Sequence, residues 1–174
     1  MRSDTEMFPN EKMQRVAHHL QCTAVGLSDQ ERDAFARSAY NRYYYSVFLR
    51  TRDMFRQMNP DWSSLPHATY PELLLGAVYK SFKPEWTRAR RNGDVALKNA
   101  IEQAWRSIQE LAKIITTANS TRVVADYEPE EQVNFVTAER FSLRSVDITE
   151  AHGWAARVVV LCKSILRVWK QINV

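Results

Sequence analysis

Residues 97–118 read LKNAIEQAWRSIQELAKIITTA, and this stretch decides the fold. Its apolar side chains recur at steps of three and four residues, namely Leu97, Ile101, Ala104, Ile108, Leu111, Ile115 and Ala118. This spacing places all of them on one face of an α-helix. Because such a face must be buried against other elements, the stretch predicts a helix over 94–118 that packs against further helices.

The rest of the chain carries similar apolar stripes, separated by proline-containing breaks and by capping-box spacings such as Ser28 before Glu31 and Asp147 before Glu150. Only 4 Gly and 6 Pro occur in 174 residues, which favours few, long elements. We therefore predict an all-α fold, an antiparallel bundle of four to five helices in a single domain, 1–174. Besides 94–118, the predicted helices are 9–25, 28–58, 71–82, 129–141 and 147–172, with a basic connection over 83–93.

The bulk composition indicates a globular protein that can have polyanionic partners. Hydrophobic residues make up 45% and charged residues 25% of the chain, and the net charge is +4. Cys22 and Cys162 both lie in apolar helical stretches, so we interpret them as buried free thiols of a reducing compartment. No apolar run has the length of a spanning helix, so we expect a cytoplasmic protein without a membrane partner.

Neither a metal site nor a common cofactor site is indicated by spacing. The four histidines have no Cys or second His at zinc-finger spacing, so we interpret them as surface and loop residues. The sequence also lacks the glycine-rich phosphate loops of nucleotide-dependent enzymes, and we expect no cofactor. The histidines are His18, His19, His67 and His152.

Two patterns remain as candidates for function. In the second helix, arginines such as Arg42 interleave with aromatic residues such as Tyr44. This pattern suits stacking and phosphate contacts with RNA, or else aromatic core residues beside a solvated arginine face. After the third long helix, Arg122 and Asp126 stand four residues apart, a spacing at which opposite charges pair if the segment is helical.

The order of these motifs resembles the HEPN superfamily of small helical domains. Residues 37–48 are similar to its pattern Arg-x-Ala-Tyr-Tyr-x-x-Phe with extra residues inserted, and residues 122–127, RVVADY, fit the segment Arg-x-x-Ala-Asp-Tyr of one branch. That branch is often encoded beside small nucleotidyltransferases. The resemblance implies a homodimer in a toxin–antitoxin or defence complex with a nucleotidyltransferase or nuclease partner. It also implies that Tyr127 accepts nucleotide groups; the alternative is a packed tyrosine whose hydroxyl bonds to backbone.

Catalytic HEPN proteins are metal-independent ribonucleases with an arginine followed, after four to six residues, by a histidine. No histidine of this chain follows an arginine at that spacing. The leading hypothesis is therefore a non-enzymatic HEPN-like protein that acts through a partner. Its predicted nucleotide-, RNA- or partner-binding residues are Arg122, Asp126, Tyr127, Arg42 and Tyr44.

Two alternatives stay open. One is an active ribonuclease with a shifted motif, in which Arg122 acts with His152 or His67 on RNA. The other is a helical interaction module without nucleotide chemistry, suggested by three tryptophans that we interpret as exposed: Trp62, Trp86 and Trp105.

Overall fold

The computed structural model of the chain describes residues 7–137 and 140–173. Two 3₁₀ turns, Pro60–Ser64 and His67–Thr69, separate the second helix from the third, and a π-helical turn, Leu74–Val78, joins the third helix to the fourth. The helices are α1 (Pro9–Gly26), α2 (Asp29–Met58), α3 (Tyr70–Leu73), α4 (Tyr79–Ser81), α5 (Lys83–Asn92), α6 (Val95–Tyr127) and α7 (Ile148–Ile172).

The predominance of helix confirms the all-α prediction, with one small sheet added to it. The sheet has the order β1-β2-β3 and antiparallel pairing, in which Val133 faces Leu143 and Leu143 faces Val146. Its strands are β1 (Val133–Thr137), β2 (Arg140–Leu143) and β3 (Val146–Asp147). In the described part of the chain, no helix has the combination of length and apolarity that a membrane span requires.

The chain divides into two compact units. The first comprises residues 1–50 and 117–156, and the second comprises residues 51–116 and 157–174. The divisions fall inside α2, α6 and α7, so each of these helices contributes residues to both units. The prediction of one domain over 1–174 stays a prediction.

In the first unit, α2 is the element that the others contact. The Tyr40 hydroxyl donates to the Val146 backbone oxygen at 2.8 Å, and the Tyr40 ring packs edge-on against Phe141. On α1, the Asn10 carbonyl accepts a hydrogen bond from the Ser46 hydroxyl at 2.8 Å. Tyr40 and Phe141 are fully buried, so they form the core that fixes the sheet against α2.

The second unit has an aromatic core. Phe55 and Tyr70 are fully buried with ring centroids 4.8 Å apart. Trp62 packs between Phe55 and Trp169, at centroid distances of 6.1 and 5.7 Å. Trp62 is thus a half-buried core residue, because two aromatic rings cover it. Trp105 is likewise half-buried and stacked on Tyr79.

The predicted helix over 129–141 is wrong, because those residues include β1 and the start of β2. Pro129 suits the first turn of a helix, and that feature favoured the helical interpretation. The apolar residues that are buried here follow the two-residue period of strands instead, as Phe141 and Leu143 of β2 show.

The third long helix extends beyond the predicted end at residue 118 and reaches Tyr127. The polar run Asn119-Ser120-Thr121 does not stop it. The Thr121 hydroxyl donates to the Thr117 backbone oxygen at 2.9 Å, inside the same helix, and Thr121 is buried. A threonine that bonds to its own preceding turn is compatible with a continuing helix.

The basic connection predicted over 83–93 is a helix, α5. Pro84 lies in its first turn, where the missing amide hydrogen costs no intrahelical bond, so Pro84 is compatible with a helix start. Gly93 ends α5 with a φ of 70°. That left-handed conformation is one that glycine adopts without strain.

Candidate functional site

The RVVADY segment forms the C-terminal end of α6, so Arg122 and Asp126 lie in a helix. The Arg122 Nε lies 2.8 Å from Asp126 Oδ2, with the two side chains 24% and 26% exposed. The pair spans one helical turn, as the four-residue spacing predicts. The Asn41 amide on α2 donates to the other carboxylate oxygen of Asp126 at 2.6 Å.

Tyr127 is the exposed member of this group. Its side chain is 67% exposed, and the Arg122 guanidinium carbon lies 5.4 Å from its ring centroid. A guanidinium at this distance orients an aromatic ring without burying it. The phenol is therefore presented to solvent beside a fixed positive charge. We call Asn41, Arg122, Asp126 and Tyr127 the α6-end cluster.

A second arginine holds the backbone on which the α6-end cluster lies. Arg37 is only 12% exposed, and its Nε lies 2.6 Å from Asp33 Oδ2. Its guanidinium also donates to backbone oxygens at and beyond the end of α6, and two of these oxygens, those of Val124 and Glu128, accept a backbone amide as well. The oxygens that accept from Arg37 belong to Val124, Ala125, Glu128, Pro129 and Glu131.

Among the described residues, no contact joins Arg42 or Tyr44 to the α6-end cluster. Arg42 is exposed on α2, with its guanidinium 5.9 Å from the ring of Tyr45. Tyr44 is 2% exposed and packs against Tyr45 and Phe48. Tyr44 thus belongs to the core. The exposed residue of this pair on α2 is Arg42.

His152 has surroundings of its own. Its Nδ1 lies 2.9 Å from the hydroxyl of buried Tyr43, and its ring centroid lies 5.1 Å from that of His18. Across the described residues, no hydrogen bond or ion pair joins His152 to Arg122. Burial, together with the charge of His18, lowers the pKa of His152. The other candidate histidine, His67, lies in a 3₁₀ turn of the second unit.

Sequence reasoning missed the environment of His152. His18 and Cys22 stand four residues apart on α1, and the Cys22 sulfur lies 3.7 Å from His18 Nε2. Cys22 is exposed, which contradicts its interpretation as a buried thiol, whereas Cys162 is buried as predicted. The four-residue spacing was visible in the sequence, but the third side chain, His152, lies more than a hundred residues away. In the part of the chain that the structure covers, no three His, Cys, Asp or Glu side chains are arranged as a metal-binding group.

No relative of this chain was found among known proteins. The chain matches no model of a known protein family, no curated protein and no solved structure. The similarity to the HEPN superfamily therefore rests on the sequence motifs alone.

Proposed function

We propose that this chain is a non-catalytic, HEPN-like binding subunit that acts as a homodimer with a nucleotidyltransferase partner, in a toxin–antitoxin or defence complex. The observation that carries the proposal is the exposure of Tyr127 beside Arg122. The resemblance implies a tyrosine acceptor at this position, and an acceptor must be accessible to the partner's active site. A packed tyrosine, the alternative from the sequence, does not fit a side chain that is 67% exposed.

The chemistry proposed for Tyr127 is nucleotidyl transfer. The phenolic oxygen attacks the α-phosphorus of a nucleoside triphosphate, an O–P bond forms, and the bond to the β-phosphate oxygen breaks. Pyrophosphate leaves, and the phenol proton passes to a base of the partner enzyme. Arg122 contributes a positive charge close to where the phosphate arrives.

The charges at the α6-end cluster favour a binding role over ribonuclease chemistry. Arg122 is paired with Asp126, and the Asn41 amide bonds the same carboxylate. A carboxylate that pairs with a guanidinium through one oxygen and accepts from an amide at the other is not placed to act as a general acid. Of the two histidines that the alternative could use, His152 hydrogen-bonds Tyr43, and His67 lies in a 3₁₀ turn that precedes α3.

An RNA cleavage assay tests the non-catalytic part of the proposal. The purified protein is incubated with tRNA and with total RNA, without metal and with a chelator present. We expect no cleavage by the wild type above that of a preparation carrying Arg122→Ala. Cleavage that is lost in Arg122→Ala, or in His152→Ala, would overturn the proposal and establish the ribonuclease alternative.

The mass of the purified complex tests whether the chain forms a homodimer that binds a nucleotidyltransferase. The chain is co-expressed with the products of its neighbouring genes, and light scattering gives the mass of the purified complex. We expect a mass that corresponds to two copies of this chain and a nucleotidyltransferase. A monomer that forms no complex with any neighbouring gene product would contradict the proposal.

A further inference from the structure

Two histidines of the first unit lie side by side outside the α6-end cluster. His18 is exposed on α1, and His152 is half-buried near the start of α7. Their ring centroids are 5.1 Å apart with an interplanar angle of 61°. The two imidazoles belong to different helices, so anything that binds both of them connects α1 to α7.

The hydrogen bonds behind His152 determine which of its nitrogens is free. The Tyr43 hydroxyl has one proton, which it donates to the Gln21 side-chain oxygen at 2.6 Å. The same Tyr43 oxygen lies 2.9 Å from His152 Nδ1, so it must accept a proton from that nitrogen. Neutral His152 therefore has its hydrogen on Nδ1 and its lone pair on Nε2.

This arrangement is the one that metal-binding histidines show. Such a histidine donates its second ring N–H to a neighbouring acceptor, which fixes its tautomer and orientation. Two imidazoles on one Zn²⁺, with Zn–N distances of ~2.1 Å and a near-tetrahedral angle, have ring centroids about 5 Å apart. The observed separation of 5.1 Å agrees with that value.

We propose that His18 and His152 together bind a divalent transition-metal ion of the borderline class, such as Zn²⁺ or Ni²⁺. Imidazole is a preferred ligand for these ions. Since no group of three ligating side chains is present among the described residues, water completes the coordination shell.

Cys22 is adjacent to this site but does not act as a ligand. Its sulfur lies 3.7 Å from His18 Nε2 and 4.0 Å from Nδ1. We give it no coordinating role, because no three His, Cys, Asp or Glu side chains of the described residues are placed to share one metal ion. The site thus has two protein ligands, one from each helix.

Thermal unfolding of the untagged full-length protein tests the proposal. The midpoint is measured without metal and with ZnCl₂ or NiCl₂ at increasing concentration, in a buffer without chelating components. Since an ion that binds only the folded state raises the midpoint by mass action, we expect a rise of about 5 °C at high metal concentration. Calorimetric titration should give one ion per chain.

Three variants complete the experiment. His18→Ala should abolish the shift while keeping the metal-free midpoint, because His18 is exposed. His19→Ala is the matched control on the same helix and should keep the whole shift, as should Cys22→Ser. A wild type without a shift, a His18→Ala protein that keeps it, or a His19→Ala or Cys22→Ser protein that loses it would overturn the proposal.

Discussion

The guanidinium of Arg37 donates a hydrogen bond to the backbone oxygen of Glu128, with Nη1 and the oxygen 3.2 Å apart. The same side chain pairs with Asp33. A cation placed on the carbonyls at a helix C-terminus adds charge-assisted hydrogen bonds and interacts favourably with the helix dipole. Arg37 therefore fixes the end of α6, where the α6-end cluster lies.

Arg37→Ala should lower the free energy of unfolding by about 2–4 kcal/mol, because it removes the ion pair with Asp33 and the guanidinium hydrogen bonds to several carbonyls. Arg122→Ala is a matched control, since Arg122 also pairs with an aspartate four residues away. Arg122→Ala should lower the free energy of unfolding by less than about 1 kcal/mol, which is the usual contribution of a solvent-accessible ion pair. Urea denaturation measures both values. Equal losses of free energy of unfolding in the two variants would show that the hydrogen bonds from Arg37 to the end of α6 contribute nothing to stability.

The small sheet is tested by a pair of substitutions in its first two strands. Phe141 is fully buried between Tyr40 and Phe135, so Phe141→Ala should cost about 3–5 kcal/mol. Val136 is 60% exposed, and Val136→Ala should change the free energy of unfolding by less than about 0.5 kcal/mol. Chemical denaturation measures both. A large loss at Val136 with none at Phe141 would contradict the strand register.

Stability should depend on pH through His152. Its folded-state pKa is lowered from its ordinary value by burial and by the charge of His18. The unfolded state therefore binds more protons in the window between the lowered pKa and the ordinary value of ~6.5. The stabilising contribution is present above that ordinary value and is lost as the pH falls through the folded-state pKa.

We expect wild-type protein to lose more free energy of unfolding than His152→Gln between about pH 7.5 and pH 5. The measurement is urea denaturation of both proteins at each pH. His19→Gln is the control, because it removes an exposed histidine from the neighbouring helix. Equal losses in wild type and His152→Gln would show that His152 titrates alike in the folded and unfolded states.

The long helices were predictable because their stability comes from a repeated pattern. The stripe from Leu97 to Ala118 is visible without any knowledge of its partners. The end of α6 was not predictable in the same way. Whether Thr121 stops a helix depends on where its hydroxyl bonds, and the carbonyls that follow accept further hydrogen bonds from Arg37, more than eighty residues earlier.

The candidate site was only partly predictable, for the same reason. The pairing of Arg122 with Asp126 follows from their spacing, and the structure has that contact. The exposure of Tyr127 depends on where α6 ends, and the bond from Asn41 depends on how α2 packs. The neighbours of His152 come from α1 and α2, so no local pattern could indicate them.

The covalent state of Tyr127 tests directly whether this residue accepts a nucleotide. The chain is co-expressed with the products of its neighbouring genes, purified, and analysed by intact-mass spectrometry and peptide mapping. We predict added nucleoside monophosphate units on the peptide that carries Tyr127, absent in Tyr127→Phe and retained in the control Tyr79→Phe. An unmodified wild-type chain, or the same modification in Tyr127→Phe, would contradict the proposed nucleotidyl transfer to Tyr127.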